Sequence, residues 1–250
     1  MNFQVRKQLI LSILENKGSV EVRELAEILQ TSDITVRRDL NILAEQSLLY
    51  RTHGGAMKLS LSHNPIDFLH KTAQKSEQKD EICQKVAQQI QDGEVIFLDC
   101  GSTVYRICPF IRHKRVKVVT NSLPIVNALL NSSVSLNFIG GEMDPERQAT
   151  HGLIATEHIA RYRADKALVG ISGISLQHGL SAASEKEAEM TIAFAHQARL
   201  TYLLCDSSKF EKDSYFPFSL SKPLGFLVTD SHLSLEIFEQ YQKNGFVFFQ

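Results

Sequence analysis

The stretch Thr31-Ser32-Asp33-Ile34-Thr35-Val36-Arg37-Arg38-Asp39-Leu40 contains a helix start and two faces of opposite character. Ser32 is placed to cap a helix, its hydroxyl accepting from a first-turn amide. At about 100° per residue, Val36, Leu40 and Leu43 fall on one side. Ile34, Arg38 and Asn41 lie opposite, flanked by Thr35 and Arg37. Upstream, Val22, Leu25, Ala26 and Leu29 form a second apolar stripe at i, i+3, i+4, i+7, separated from the first by the short break Gln30-Thr31-Ser32. Farther upstream, Val5, Leu9 and Ile13 with Ile10 and Leu14 form a third, ended by Asn16-Lys17-Gly18. A short helix, a tight turn and a second helix make a helix-turn-helix. Downstream, residues 48–58 read as a β-hairpin in which Gly54-Gly55 supplies the positive φ of a tight turn. That hairpin is the wing of a winged helix.

The outward face of the third helix carries groups suited to a major groove, where the N-terminal residues of a recognition helix meet base edges. Arg38 can take guanine, and Ile34 or Thr35 can touch a thymine methyl. Arg37 is a phosphate contact. Ser32 and Asn41 complete the helix set, and Arg51 and His53 on the wing can reach backbone phosphate. Asp39 lies nearer the core, where it can orient an arginine. Residues 1–58 hold eight Lys/Arg and seven Asp/Glu, a net of +1, so bulk attraction to DNA is weak. The acidic residues concentrate on the first two helices, which blunts that objection. The competing reading is three solvated helices packed only for stability.

The whole chain has 250 residues, 43% hydrophobic and 22% charged, with a net charge of −1. That length suits one large domain or two unequal ones, and the balance allows a packed core. A strongly basic nucleic-acid coat is excluded; a local basic surface is not. No apolar run approaches the roughly 18 residues that cross a bilayer. The start, Met1-Asn2-Phe3-Gln4-Val5-Arg6-Lys7, lacks a signal-peptide core. Cys83, Cys100, Cys108 and Cys205 form no C-x-x-C pair. A cytoplasmic protein with reduced thiols, no metal, no cofactor and no membrane contact is expected.

From Lys75 onward the pattern changes. Helical stretches alternate with short β-rich runs at 95–98, 116–119, 134–139, 167–169, 200–204 and 226–229, which predicts βαβ units and a mostly parallel sheet. The expected organisation is a small winged helix-turn-helix domain over 1–58, a linker over 59–74 and a larger α/β domain over 75–250. Val95–Leu98 runs into Asp99-Cys100-Gly101-Ser102-Thr103, a hydroxyl-bearing glycine turn that can hold an anion or merely join strand to helix. Four other strand ends deliver Thr120-Asn121-Ser122, Gly140-Gly141-Glu142, Gly170-Ile171-Ser172-Gly173 and Asp206-Ser207-Ser208-Lys209. Ligands of open α/β sheets bind at such ends.

The run from Thr31 to Leu40 and the later Arg51-Thr52-His53-Gly54-Gly55-Ala56 resemble the N-terminal signature of the DeoR family of bacterial transcriptional regulators. Asp99–Thr103, Thr120–Ser122, Gly140-Gly141, Gly170–Gly173, Glu187-Ala188, Asp206–Lys209 and Thr229-Asp230 resemble that family's sensor domain. The resemblance implies a fold similar to ribose-5-phosphate isomerase, double-stranded operator DNA as one partner and a phosphorylated sugar as effector. Gly101, Ser102 and Thr103 would hold the phosphate and Lys209 would add charge. Asp99, Asn121, Gly141 and Gly170 would line the sugar. Ser102 stands where the family commonly has Thr, and the hydroxyl survives. A homodimer or homotetramer follows from symmetry and the resemblance.

An isomerase is the enzymatic alternative, and aldose–ketose isomerisation needs a carboxylate base at the substrate carbons. No Asp or Glu occurs between Asp165 and Glu185, and Glu187 reads as a helix-start partner. No catalytic residue is therefore assigned. The expected function is a repressor of sugar uptake or catabolism genes, released from DNA by its effector. The alternatives are an isomerase-like enzyme or a DNA-binding protein whose large domain only oligomerises. The sugar, the operator, the sign of regulation and the roles of Arg147, His151 and Cys100 stay open.

Overall fold

A computed structural model of the chain describes residues 3–17, 19–45, 48–51, 54–57, 68–220 and 225–249. The chain divides into two compact units, residues 1–66 and 67–250.

The first unit runs α1 (Phe3–Lys17), β1 (Ser19–Glu21), α2 (Val22–Ile28), α3 (Asp33–Glu45), β2 (Tyr50–Arg51) and β3 (Gly55–Met57). Val22, Leu25, Ala26 and Leu29 of the second stripe and Val36, Leu40 and Leu43 of the third are buried in one core with Ile10, Leu14, Val20, Leu49 and Ala56. On α1 the expected stripe is only partly right. Ile10 and Leu14 face the core, but Val5 and Leu9 are 43% and 39% exposed. Apolar residues occur around most of this helix, so its contacts with β1 and α3 select the buried side. The turn between α2 and α3 places Gln30 at φ 49. Ser32 Oγ then accepts from the Thr35 amide at 3.3 Å.

Asp39 is buried on α3, and its partner is Arg6 of α1. Arg6 Nη2 donates to Oδ1 at 3.0 Å and Nε donates to Oδ2 at 2.5 Å. The arginine that Asp39 orients therefore belongs to the first helix, and the bidentate pair fixes the recognition helix against it. The wing is a three-stranded antiparallel sheet in the order β1-β3-β2, with β1 unforeseen. Gly55 serves that sheet rather than the turn. It lies in β3 opposite Glu21, and a Cβ there would sit 2.1 Å from the Val20 carbonyl oxygen.

The second unit begins earlier than expected. Residues 68–73, read as the end of a linker, form α4 (Phe68–Ala73); the linker's remaining residues up to 67 lie outside the described ones. Phe68 is buried and meets Tyr105 edge-on with centroids 5.2 Å apart, so burial of an aromatic ring binds this turn of helix to the α/β unit. After α5 (Ser76–Ala87) come β4 (Val95–Leu98), α6 (Ser102–Tyr105), α7 (Cys108–Ile111), β5 (Lys117–Thr120), α8 (Leu123–Leu129) and β6 (Ser135–Phe138). The stretch after the glycine turn forms two short helices, α6 and α7, with Pro109 seated in the first turn of α7, where its missing N–H is tolerated. A hairpin, β7 (Glu142–Asp144) and β8 (Ala149–His151), leads to α9 (Leu153–Ile159) and β9 (Ala164–Gly170). Then follow β10 (Gly173–Ser175), β11 (Gly179–Ala182), α10 (Glu185–Gln197), β12 (Ala198–Leu204), β13 (Phe216–Phe218), β14 (Phe226–Val228) and α11 (Leu235–Lys243).

All six β-rich runs read from the sequence join one sheet in the order β14-β12-β9-β4-β5-β6, every neighbouring pair parallel. Alternate residues feed two cores. Phe97, Val119, Ala167, Val169, Leu203 and Leu227 enter one, with Ala155 of α9, Phe194 of α10 and Tyr241 of α11. Ile96, Leu98, Val118, Leu168, Leu204 and Val228 enter the other, with Ile82 and Val86 of α5 and Ile125 of α8. Burial on both faces is what a parallel sheet requires. Chain order reverses between the adjacent strands β4 and β9, so their carboxyl ends form the topological switch point of a doubly wound fold.

Replacing Asp39 by Asn should cost the first unit about 3 kcal/mol, because Arg6 keeps its charge in a site nearly closed to water. Faster amide hydrogen exchange along α3 in the intact chain is the expected reading, and unaltered exchange would contradict it.

Candidate functional site

The exposed face of α3 is the first candidate. Ile34 is 79% exposed, an unusual position for a large aliphatic side chain, and Ser32, Arg37, Arg38 and Asn41 are exposed around it. Thr35 is half-buried, its hydroxyl 3.0 Å from that of Ser32. The helix thus presents the six residues expected of it on a surface that its buried Val36, Leu40 and Leu43 leave outward. On the wing, the Arg51 backbone lies in β2, while its side chain and all of His53 lie outside the described residues.

The second candidate is at the switch point. Asp99 follows β4 and is buried, and each of its oxygens is taken by a main-chain amide. Gly101 N–H donates to Oδ1 and Gly170 N–H to Oδ2, both at 2.7 Å. One carboxylate therefore ties the end of β4 to the end of β9. A Cβ on Gly101 would come within 2.9 Å of Asp99 Oδ1, so a larger residue there would push on the carboxylate that closes the turn. Burial pushes the Asp99 carboxyl up to about 6, although the two amides and the charge of Arg147 favour its ionised form. Of the residues expected to line a ligand, Asp99, Gly101 and Gly170 are thus brought into direct contact.

Beyond the clamp, α6 opens with Ser102 and Thr103, whose first-turn amides have no intrahelical acceptor. The Ser102 hydroxyl accepts from Lys79 Nζ at 3.2 Å. Lys79 is 5% exposed and also donates to the Lys71 carbonyl. Burial pulls its pKa down to about 8; Lys209, Arg106 and Lys71 push the same way, and Asp206 opposes them. Lys71 is likewise held at about 8 by burial, then by Arg147 and Lys209. Among the described residues, none of the Lys71, Lys79 and Lys209 ammonium groups is paired with a carboxylate. Asp206 is engaged by Lys75 at 3.5 Å, and Glu187 by Arg147. Lys209 ends a short 3-10 turn, Ser207–Lys209, capped by Asp206 through the Ser208 amide at 3.1 Å. Cations without a carboxylate in contact, beside a hydroxyl and first-turn amides, are groups that can hold an anion of more than one negative charge.

The remaining expected residues lie around this centre. Asn121 is buried after β5, donates from Nδ2 to the Thr150 carbonyl at 2.8 Å and borders the Cys100 thiol, which burial pushes up to about 12. Gly141, at φ 156, lies against the His151 carbonyl and Ala155 of α9. Arg147, read without a role, sends its charge toward Asp99, Lys71 and His151. Sequence reading missed Lys71 and Lys79. Lys79 left a trace: it occupies the inward stripe of α5 with Ile82, Cys83 and Val86, where a lysine needs a reason. Lys71 left none.

A winged helix-turn-helix joined in one chain to a doubly wound α/β unit is the architecture of a transcriptional regulator. Residues 6–60 match the DeoR-like helix-turn-helix domain and residues 74–231 match the DeoR C terminal sensor domain. The chain is 32% identical over 250 residues to the lactose phosphotransferase system repressor of Lactococcus lactis subsp. lactis, covering 96% of this chain and 97% of that protein. It is 33% identical over 207 residues to the glycerol-3-phosphate regulon repressor of Escherichia coli (strain K12), covering 82% of each. A solved D-ribose-5-phosphate isomerase is similar to it with a TM-score of 0.41 and 15% identity, over 54% of both chains. The chain belongs to the DeoR family: it is a DNA-binding transcriptional regulator with a C-terminal sensor domain. No helix among the described residues is long and apolar enough to cross a membrane.

The raised Asp99 carboxyl has a signed consequence for stability. Its folded pKa of about 6 exceeds the unfolded value of 3.8, so its contribution becomes less favourable as pH rises between those values. Against an Asp99→Asn variant, which keeps one of the two acceptors and does not titrate, the wild type should lose relative stability from pH 4 to pH 6. Urea unfolding followed in parallel measures this, and parallel pH profiles would contradict the clamp's assignment.

Proposed function

We propose that this regulator is a repressor of sugar uptake or catabolism genes, and that a phosphorylated sugar bound at the Ser102 turn releases it from its operator. The observation that carries the reading is the buried Lys79 ammonium on the Ser102 hydroxyl, with Lys71 and Lys209 unpaired nearby. A neutral sugar would leave this charge uncompensated; a phosphoryl dianion compensates it. Gly101, Ser102, Thr103, Lys79 and Lys209 hold the phosphoryl group, and Asp99, Asn121, Gly141 and Gly170 shape the sugar side. The names of the relatives, a lactose phosphotransferase system repressor and a glycerol-3-phosphate regulon repressor, support this effector class.

On the DNA side, Arg38 reads guanine, Ile34 or Thr35 meets a thymine methyl, and Ser32, Arg37, Asn41, Arg51 and His53 complete the contacts. A symmetric dimer or tetramer in the cytoplasm would place two such helices on half-sites of one operator. Three residue ranges follow for the organisation: a reader over 1–58, a joining segment, and a sensor that begins at α4.

The protein is not an enzyme in this reading. Proton abstraction needs a carboxylate free to take a proton, and both Asp99 oxygens are engaged by amides. Glu187 is held by Arg147 and lies in the first turn of α10, which Ser184 caps.

Gel shifts with the upstream region of the protein's own gene, with and without a panel of sugar phosphates, test the whole reading. Binding relieved by a phosphosugar but not by the parent sugar supports it, whereas turnover of a phosphosugar would revive the isomerase. Arg38→Ala should lower operator affinity at least tenfold, on the order of one bidentate base contact, with effector affinity unchanged. Retained operator affinity would remove α3 from the groove.

Effector affinity should also pass through a maximum with pH. Below about pH 6 the phosphoryl group takes up a proton and loses charge. Above about pH 8, Lys71 and Lys79 lose theirs. Calorimetric titration of a bound sugar phosphate from pH 5 to pH 9 would show the two limbs, and a flat profile would place the phosphate elsewhere.

A further inference from the structure

We propose that Lys71 of α4 is itself a ligand of the phosphoryl group, so that effector binding fastens α4 to the sensor domain and thereby fixes where the segment leading from the DNA-binding domain begins. The inference rests on the anion site proposed above and adds to it the element that reports occupancy. Nothing in the sequence motifs assigns α4 any such part.

The geometry around Lys79 is the starting point. Its ammonium has three N–H groups. One goes to the Lys71 carbonyl on α4 and a second to Ser102 Oγ at the start of α6, at 3.2 Å. A single buried cation thus joins α4, α5 and the glycine turn, and its third N–H is left for a ligand. The Lys71 side chain is half-buried, and its charge interacts with those of Lys79, Arg147 and Lys209. Like charges gathered this way repel one another until an anion separates them.

Little else holds α4. It is six residues long, and Thr72 spends its hydroxyl on the Phe68 carbonyl of the same helix at 2.8 Å. Phe68 on Tyr105 is its aromatic anchor, and Lys79 on the Lys71 carbonyl is its polar one. Lys75, at φ 53, ends the turn between α4 and α5 and reaches Asp206. A six-residue helix with few anchors among the described residues, and with Lys71 facing other cations, is an element that a charged ligand can order. Because α4 directly follows residues 58–67, its docking sets the starting point of the chain that runs to the first unit. Differential ligand affinity for docked and undocked α4 is the free energy that such a report requires.

The test uses the full-length protein, inorganic phosphate as the probe, and wild type, Lys71→Gln and Lys71→Arg. Phosphate affinity is read by calorimetry and order in α4 by hydrogen exchange over residues 68–73. In the wild type, saturating phosphate should slow exchange over 68–73. Lys71→Gln should bind phosphate roughly tenfold or more weakly, as expected for loss of one charge-assisted hydrogen bond, and at saturation should protect the Ser102 turn without protecting 68–73. Lys71→Arg should behave like the wild type. Equal phosphate affinity in Lys71→Gln, or wild-type binding that leaves exchange over 68–73 unaltered, would overturn the role of Lys71 while leaving the anion site standing. A wild type that binds neither phosphate nor any sugar phosphate would remove the site itself, and this inference with it.

Discussion

One carboxylate holds the sensor domain's site together. Asp99 spans the point where the order of the sheet reverses, and accepts an amide from each side of the gap, Gly101 on one and Gly170 on the other. Parallel strands diverge at a switch point, and nothing in the ladder of main-chain hydrogen bonds closes the crevice they leave. The buried ion does so while keeping a bare glycine turn in place. Its surroundings differ from those of the next turn: among the described residues, Asp99 has only the charge of Arg147 acting on it, whereas Lys71 and Lys79 gather with Lys209 without a carboxylate in contact. Under the proposed function, a multiply charged anion would supply the charge that these lysines lack.

The DNA-binding domain uses the same device with the opposite outcome. Asp39 is also a buried carboxylate, but Arg6 meets it with two donors, and the pair is complete without a ligand. Completion suits a rigid reading head, because a recognition helix must keep its register while its outward side chains search for bases. In the sensor the lysines at the Ser102 turn have no such partner among the described residues, which is the contrast the proposed effector would exploit.

A regulator needs the responsive part to reach the fixed part through the chain. Helix α4 is the element to which we assign that part: Phe68 anchors it on Tyr105, and Lys71 would meet the proposed anion. Six residues with so few anchors gain or lose order at small free-energy cost, which lets an effector of ordinary affinity shift the balance.

Periodicity and motif spacing determined much by themselves. The stripes of α2 and α3, the six runs that became the parallel sheet and the glycine turn after β4 were legible because each depends on neighbours along the chain. So was the outward set on α3, since a helix that buries Val36, Leu40 and Leu43 must expose Arg38 and Asn41. Tertiary structure alone decided what depends on residues remote in sequence. It turned Val5 and Leu9 outward, gave Asp39 a partner 33 positions away, and placed Gly55 under a strand that no local pattern announced. It also brought Lys71 and Lys79 to the Ser102 turn. A lysine's burial is set by which elements pack over it, and electrostatic incompleteness arises only when such groups converge in space.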